Sequence, residues 1–217
     1  PKVKYIGAQV FEYCTNLVID LHEGLLWIGD FSFNHCSSSK QTQIVIPSTL
    51  VQIGGTSYVG NNTDNNIIPT HVFYDCATAK LKEFILADGN VNFVVHEGVL
   101  YSKNYKVLIS YPAAKTATRY VMQEGCTAIA ELGFSRAHYL KTLVLANSFT
   151  VLPEIPDNFI NLKLVNSLII GLYVYNSITN FEIKEGNTKY AVDNGILYSA
   201  DFTELIAVPT AHSLNST

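Results

Sequence analysis

The residues that could do chemistry are few, and their spacing argues against a catalytic or metal site. His22-Glu23 and His96-Glu97 each open an HExxH pattern, in which two histidines one helical turn apart hold zinc and the glutamate activates water. The fifth positions are Leu26 and Leu100, so neither pair completes the motif. Cys14, Cys36, Cys76 and Cys126 stand far apart with no CxxC, which leaves no zinc knuckle and no thioredoxin-type dithiol. Four cysteines are too few for a disulfide framework in a chain of 217 residues. There is no GxSxG elbow, no P-loop and no GxGxxG. A glycan hydrolase would need paired carboxylates. Glu154 and Asp157 come nearest, but Pro153 and Pro156 mark their surroundings as a turn. The expectation is a chain with no catalytic residue, no cofactor and no bound metal.

The bulk numbers agree with a folded, globular chain. Hydrophobic residues make up 48% and charged residues 15%, enough apolar surface to offset the entropy of ordering. The net charge is −4, and no Lys/Arg run supplies the basic footprint that nucleic acid requires. The longest apolar region, Leu162 to Tyr175, is broken by Lys163, Asn166, Ser167 and Gly171. It falls short of the ~20 uninterrupted residues of a spanning helix, so no direct membrane span is expected. The N-terminal Pro-Lys-Val-Lys carries no signal-peptide h-region. Sequons at Asn61 and Asn215 are no more than this Asn/Ser/Thr-rich composition supplies by chance.

Self-similarity is the informative signal. Ile6 leads to Phe11, Cys14 and Leu17; Ile28 leads to Phe33 and Cys36; Ile129 leads to Phe134, Ala137 and Leu140. The aromatic follows the isoleucine by five residues, and the small residue follows the aromatic by three. Ile53 to Tyr58 repeats the first spacing, and Phe73, Cys76, Leu81 and Phe84 repeat the rest. The aromatics step by 22 from Phe11 to Phe33, and by 25 from Phe33 to Tyr58 and from Phe134 to Phe159. This spacing fits neither a continuous strand nor a long helix. It fits a short coil, one strand and one helical or irregular turn, with every apolar side chain on a common axis. One coil cannot bury its apolar face, whereas stacked coils can, their strands forming a parallel ladder. Strands are expected at Ile44–Ile46, Phe84–Leu86, Leu143–Leu145 and Phe181–Ile183. Residues 61–66 read as a polar loop, and Ile67-Ile68-Pro69 either ends a shortened coil or begins the next.

A larger repeat lies over the first. Residues 84–112 and 181–209 align without gaps at an offset of 97. Gly89, Asn90, Val95, Gly98, Leu100, Tyr101 and Ser102 recur as Gly186, Asn187, Val192, Gly195, Leu197, Tyr198 and Ser199. Each copy reads as a three-stranded antiparallel meander inserted between coils, at about 90–112 and 187–209. Gly98 and Gly195 serve tight turns, and Pro112 and Pro209 end the third strands.

Ile-Gly, Phe, Cys and Leu in this order, with Ile44-Val45-Ile46-Pro47 closing a coil, resemble the BspA-type (Treponema-type) leucine-rich repeat. The segment FVVHEGVLYSKNYKVLISYP and its copy YAVDNGILYSADFTELIAVP look like the meander found beside such repeats. The resemblance implies a surface-exposed or secreted protein of a bacterium or protozoan, engaged in adhesion or protein binding. The fold class expected is a β-rich α/β solenoid, one array over residues 1–217, with a parallel ladder and inserted meanders. The chain is expected to be an excerpt of a longer array.

Alternation leaves Val45, Ile85, Val144 and Glu182 outside the coils, flanked by Gln43, Glu83, Thr142 and Asn180. These eight form the candidate partner-binding face. The apolar outward residues either mark an interaction stripe or reflect only the strand preference of β-branched residues. The partner expected is a protein, an extracellular or cell-surface protein of a host being one candidate. A glycan-binding or glycan-processing domain, using the abundant Tyr and Asn, is the alternative.

Overall fold

A computed structural model describes residues 2–36, 40–60, 72–73, 80–130, 132–149, 177–209 and 211–212. Two kinds of parallel ladder run through it. Two-residue strands β1 (Tyr5–Ile6), β2 (Trp27–Ile28) and β4 (Gln52–Ile53) pair in that order. Four-residue strands β3 (Gln43–Ile46) and β5 (Glu83–Leu86) pair on another side of the coil, Ile44 opposite Phe84. Every second side chain of β3 is buried, as a ladder with one face on the core requires.

The aromatic positions form a column along the axis. Phe11 stacks on Phe33 with centroids 5.5 Å apart, and Phe33 on Phe73 at 5.9 Å. The backbone follows the same register, since Phe11 N–H donates to Ser32 O and Phe33 N–H to Val72 O. The third pillar is therefore Phe73, not Tyr58. Tyr58 lies instead against Tyr5 and Trp27. The repeat's spacing from Ile53 to Tyr58 therefore does not mark a pillar.

The helical half of the expected α/β class is not found. The only helix among the described residues is a three-residue 3-10 turn, Lys103–Tyr105. The physical reason recurs in each coil. Gln9, Phe31 and Leu132 hold φ of 63°, 59° and 58°, two residues before each pillar. Tyr13, His35 and Arg136 hold φ of 60°, 56° and 56°, two residues after it. Left-handed residues on both sides of the aromatic cannot propagate a right-handed helix, so each coil returns by successive tight turns.

After β5 the chain makes the first meander, β6 (Phe93–His96), β7 (Val99–Ser102) and β8 (Val107–Ser110). It then resumes coils with β9 (Arg119–Val121), β10 (Ala128–Ile129) and β11 (Thr142–Leu145), followed later by β12 (Asn180–Ile183). The second meander is β13 (Tyr190–Asp193), β14 (Ile196–Ser199) and β15 (Leu205–Ala207). The two meanders agree in strand register. Phe93 pairs Ser102 as Tyr190 pairs Ser199, and each copy bulges between its second and third strands. Asn90 Oδ1 accepts from the N–H of Asn92 and Phe93, as Asn187 Oδ1 does from Lys189 and Tyr190. Phe84 N–H donates to Gly98 O, as Phe181 N–H does to Gly195 O.

The meander is more than an insert. Its third strand β8 pairs parallel with β10, so it also serves as the short strand of the next coil. Its two faces feed two cores. Phe93, Leu100 and Ile109 pack with Ile28, Phe33 and Ile44, while Val99, Tyr101 and Leu108 pack with Tyr120, Phe134 and Leu143. The first meander is thus a partition buried on both sides.

Candidate functional site

The long strands present their outward rows in two separate groups. On β3 and β5, Gln43 stands opposite Glu83 and Val45 opposite Ile85. Gln43 is exposed, Val45 is 45% exposed, and Glu83 and Ile85 are half-buried. Gln43 Nε2 donates to Glu83 Oε1, a cross-strand pair that flanks the Val45–Ile85 pair. This group stops at the first meander. Gly98 takes the next ladder position, so close that a Cβ there would stand 2.7 Å from Glu83 Cβ.

The second group lies on β11 and β12, with Thr142 opposite Asn180 and Val144 opposite Glu182. Thr142, Asn180 and Glu182 are half-buried. Val144 is only 3% exposed, which corrects its expected place on the outer face. The cause lies on the neighbouring strands. β11 is the central strand between β9 and β12. Arg119 of β9 reaches Glu182 of β12 at 2.8 Å across it. With Val121 and Glu182 in register on either side, this bridge closes over Val144. A second ion pair, Lys184 Nζ to Glu124 at 2.7 Å, joins the segments following the same two outer strands. Arg119 belongs to the face and escaped the sequence reading. Its signal was the alternation Arg119-Tyr120-Val121, with Tyr120 buried and Arg119 exposed.

The cysteines and carboxylates take structural places. The Cys36 thiol donates to Phe11 O of the preceding coil at 2.7 Å, and burial pushes its pKa up to about 11. Cys126 is buried and pushed up to about 12. Both are thiols at neutral pH and weak nucleophiles. Cys76, Glu154, Asp157 and Phe159 lie outside the described residues. Glu23 accepts from Ser48 N–H and Oγ–H, and Glu124 from Asn147 and Ser148 N–H, each tying one coil to the turn of the next. Among the described residues no three His, Cys, Asp or Glu converge on a metal position, and no helix is long and apolar enough to cross a membrane.

Stacked short coils with a parallel ladder and an aromatic column define a leucine-rich-repeat solenoid. Residues 1–93 match the BspA type leucine rich repeat region in six copies. Two solved structures share the fold. The pneumococcal vaccine antigen PcpA superposes with a TM-score of 0.59 at 19% identity, over 82% of this chain and 36% of that one. A leucine-rich repeat protein from Eubacterium ventriosum gives 0.50 at 21% identity, over 85% of this chain and 52% of that one. A leucine rich cell surface protein from Faecalibacterium prausnitzii gives 0.47 at 20% identity, over 68% of this chain and 40% of that one. The chain therefore spans 36% to 52% of the length of these proteins. No curated protein matches it in sequence.

Proposed function

We propose that this chain is a non-catalytic scaffold, displayed at a cell surface or secreted, that binds a protein partner through the outward rows of its long strands. The observation that carries this reading is the first group. Val45 and Ile85 form an apolar pair in register, rimmed by the Gln43–Glu83 hydrogen bond. An apolar centre with a polar rim is the usual anatomy of a protein interface. The second group, Thr142, Asn180, Glu182 and Arg119, adds charge at the same kind of position, and Val144 contributes packing beneath it. Display outside the cell is supported by the description of PcpA as a vaccine antigen.

The test is a binding screen of the pure chain against immobilised extracellular proteins, with a glycan array run in parallel. A protein ligand should lose roughly tenfold or more in affinity with Val45→Asp and Ile85→Asp together. The variant should melt where the parent does, because β3 and β5 keep Ile44, Ile46 and Phe84 buried. A ligand found only on the glycan array, or one indifferent to both substitutions, would remove this reading.

A further inference from the structure

Cys14 and Cys36 hold the same place on neighbouring coils. Their offset is the one that relates Phe11 to Phe33 and Tyr13 to His35, 22 residues in each case. Both of those ring pairs stack, with centroids 5.5 Å and 4.8 Å apart. Backbone bonds fix the same register, from Phe11 N–H to Ser32 O and from Tyr13 N–H to Asn34 O. Coils hydrogen-bonded in this way lie roughly 5 Å apart, the spacing of neighbouring strands. A disulfide spans Cα atoms ~4.4–6.8 Å apart, so residues in register across this junction are within its reach.

The side chains give the direction. Phe11 O accepts both the Cys14 N–H, at 3.0 Å, and the Cys36 thiol, at 2.7 Å. The Cys36 sulfur therefore enters the turn that carries Cys14, on the side of the preceding coil. The Cys14 N–H also lies against that sulfur. Cys126 gives its thiol to Ala128 O, two residues along its own coil, and packs in the other core. Cys14 and Cys36 are both free thiols in this structure.

We propose that Cys14 and Cys36 form a disulfide that staples the first coil to the second when the chain meets an oxidising thiol–disulfide environment. The oxidant is a low-molecular-weight disulfide. The Cys14 thiolate attacks one of its sulfurs, forming a mixed disulfide and releasing one small thiolate. Cys36 then gives up its proton, and its sulfur attacks the Cys14 sulfur and releases the second small thiolate. The protein loses two electrons and two protons, which end on the two small thiols. Cys14 is the entry point because burial holds Cys36 as a thiol, a poor first attacker. The second step is favoured by proximity, since the fold holds the two sulfurs together. The same exchange runs as the coils assemble, so it does not depend on what precedes the first coil. Small disulfides persist outside the cell, where the chain is proposed to act, but the bond needs no binding partner.

The test incubates the full, native chain with a mixture of oxidised and reduced glutathione. Free thiols are then alkylated under denaturing conditions and the peptides mapped by mass spectrometry. Most of the product should carry one peptide pair joined from Cys14 to Cys36, with Cys126 alkylated. Cys36→Ala should stop the reaction at a glutathione adduct on Cys14. The circular dichroism of the parent should coincide before and after oxidation, because the two coils already lie in register. A parent whose Cys14 stays free, or keeps its glutathione, overturns the proposal without any substitution. So does a link from Cys36 to Cys76 in place of Cys14, or an oxidised chain whose spectrum is lost.

Discussion

At the scale of single residues, the column of aromatics and one buried hydroxyl pair set the stability of the coils. Phe134 is fully buried against Tyr111, with centroids 5.3 Å apart. Phe134→Ala should cost ~3–5 kcal/mol, the lost transfer energy plus the cavity, measured as a shift of the urea unfolding midpoint. An unchanged midpoint would refute its place as a pillar. Tyr101 and Tyr120 join their hydroxyls at 2.6 Å inside the core, and burial raises the pKa of both. Tyr101→Phe should cost ~1–3 kcal/mol because it leaves the Tyr120 hydroxyl without a partner. Adding Tyr120→Phe should recover part of that loss, so a double-mutant cycle reads the pair directly. The carboxylates that tie coils together give the pH dependence. The Lys184 ammonium and the Asn147 and Ser148 amides hold Glu124 below its ordinary value of 4.5, and Ser48 does the same for Glu23. A depressed folded pKa stabilises above the unfolded value and loses that contribution as pH falls through the folded one. Thermal midpoints should therefore drop below about pH 4.5, and Glu124→Gln should flatten that part of the profile. A profile unaltered by the substitution would assign the acid sensitivity elsewhere.

At the scale of elements, the meander turns are where the sequence specifies most with fewest residues. Gly98 and Gly195 have φ of +77° and +78° and lie against Glu83 and Asn180. Gly98→Ala meets both problems, a left-handed residue with a Cβ and a clash with the Cβ of Glu83. It should destabilise by ~1–3 kcal/mol, with amide exchange rising first at β5 and β6. The 97-residue offset and the period of the short repeat made coils, long strands and meanders legible, because both follow from which side chains must face one axis. Three features were not legible. Tyr58 stands at the pillar spacing after Ile53, and only the stacking of Phe33 on Phe73 shows that it is not the pillar. The double duty of β8 depends on which strand edge is left unpaired, and hydrophobic alternation carries no such information. Alternation put Val144 on the outer face, but it is 3% exposed beside the bridge between Arg119 and Glu182, which are 63 residues apart in sequence.

At the scale of the whole molecule, the chain separates local hydrogen bonding from burial. In a solenoid each unit draws stability from its neighbours as well as from itself. β7 and β8 of the first meander lie between two cores, with Val99, Leu100, Tyr101 and Ser102 all buried. β14 and β15 make the same ladder bonds, yet only Leu197 and Ala207 among their residues are buried. Backbone amides exchange through local openings whose free energy grows with the buried contacts that must be broken. Amides of residues 99–102 and 107–110 should therefore exchange more slowly than those of 196–199 and 205–207 in dilute protein, read by hydrogen–deuterium exchange mass spectrometry. Equal protection in the two meanders would mean that ladder bonds alone set local stability, against the partition described for the first.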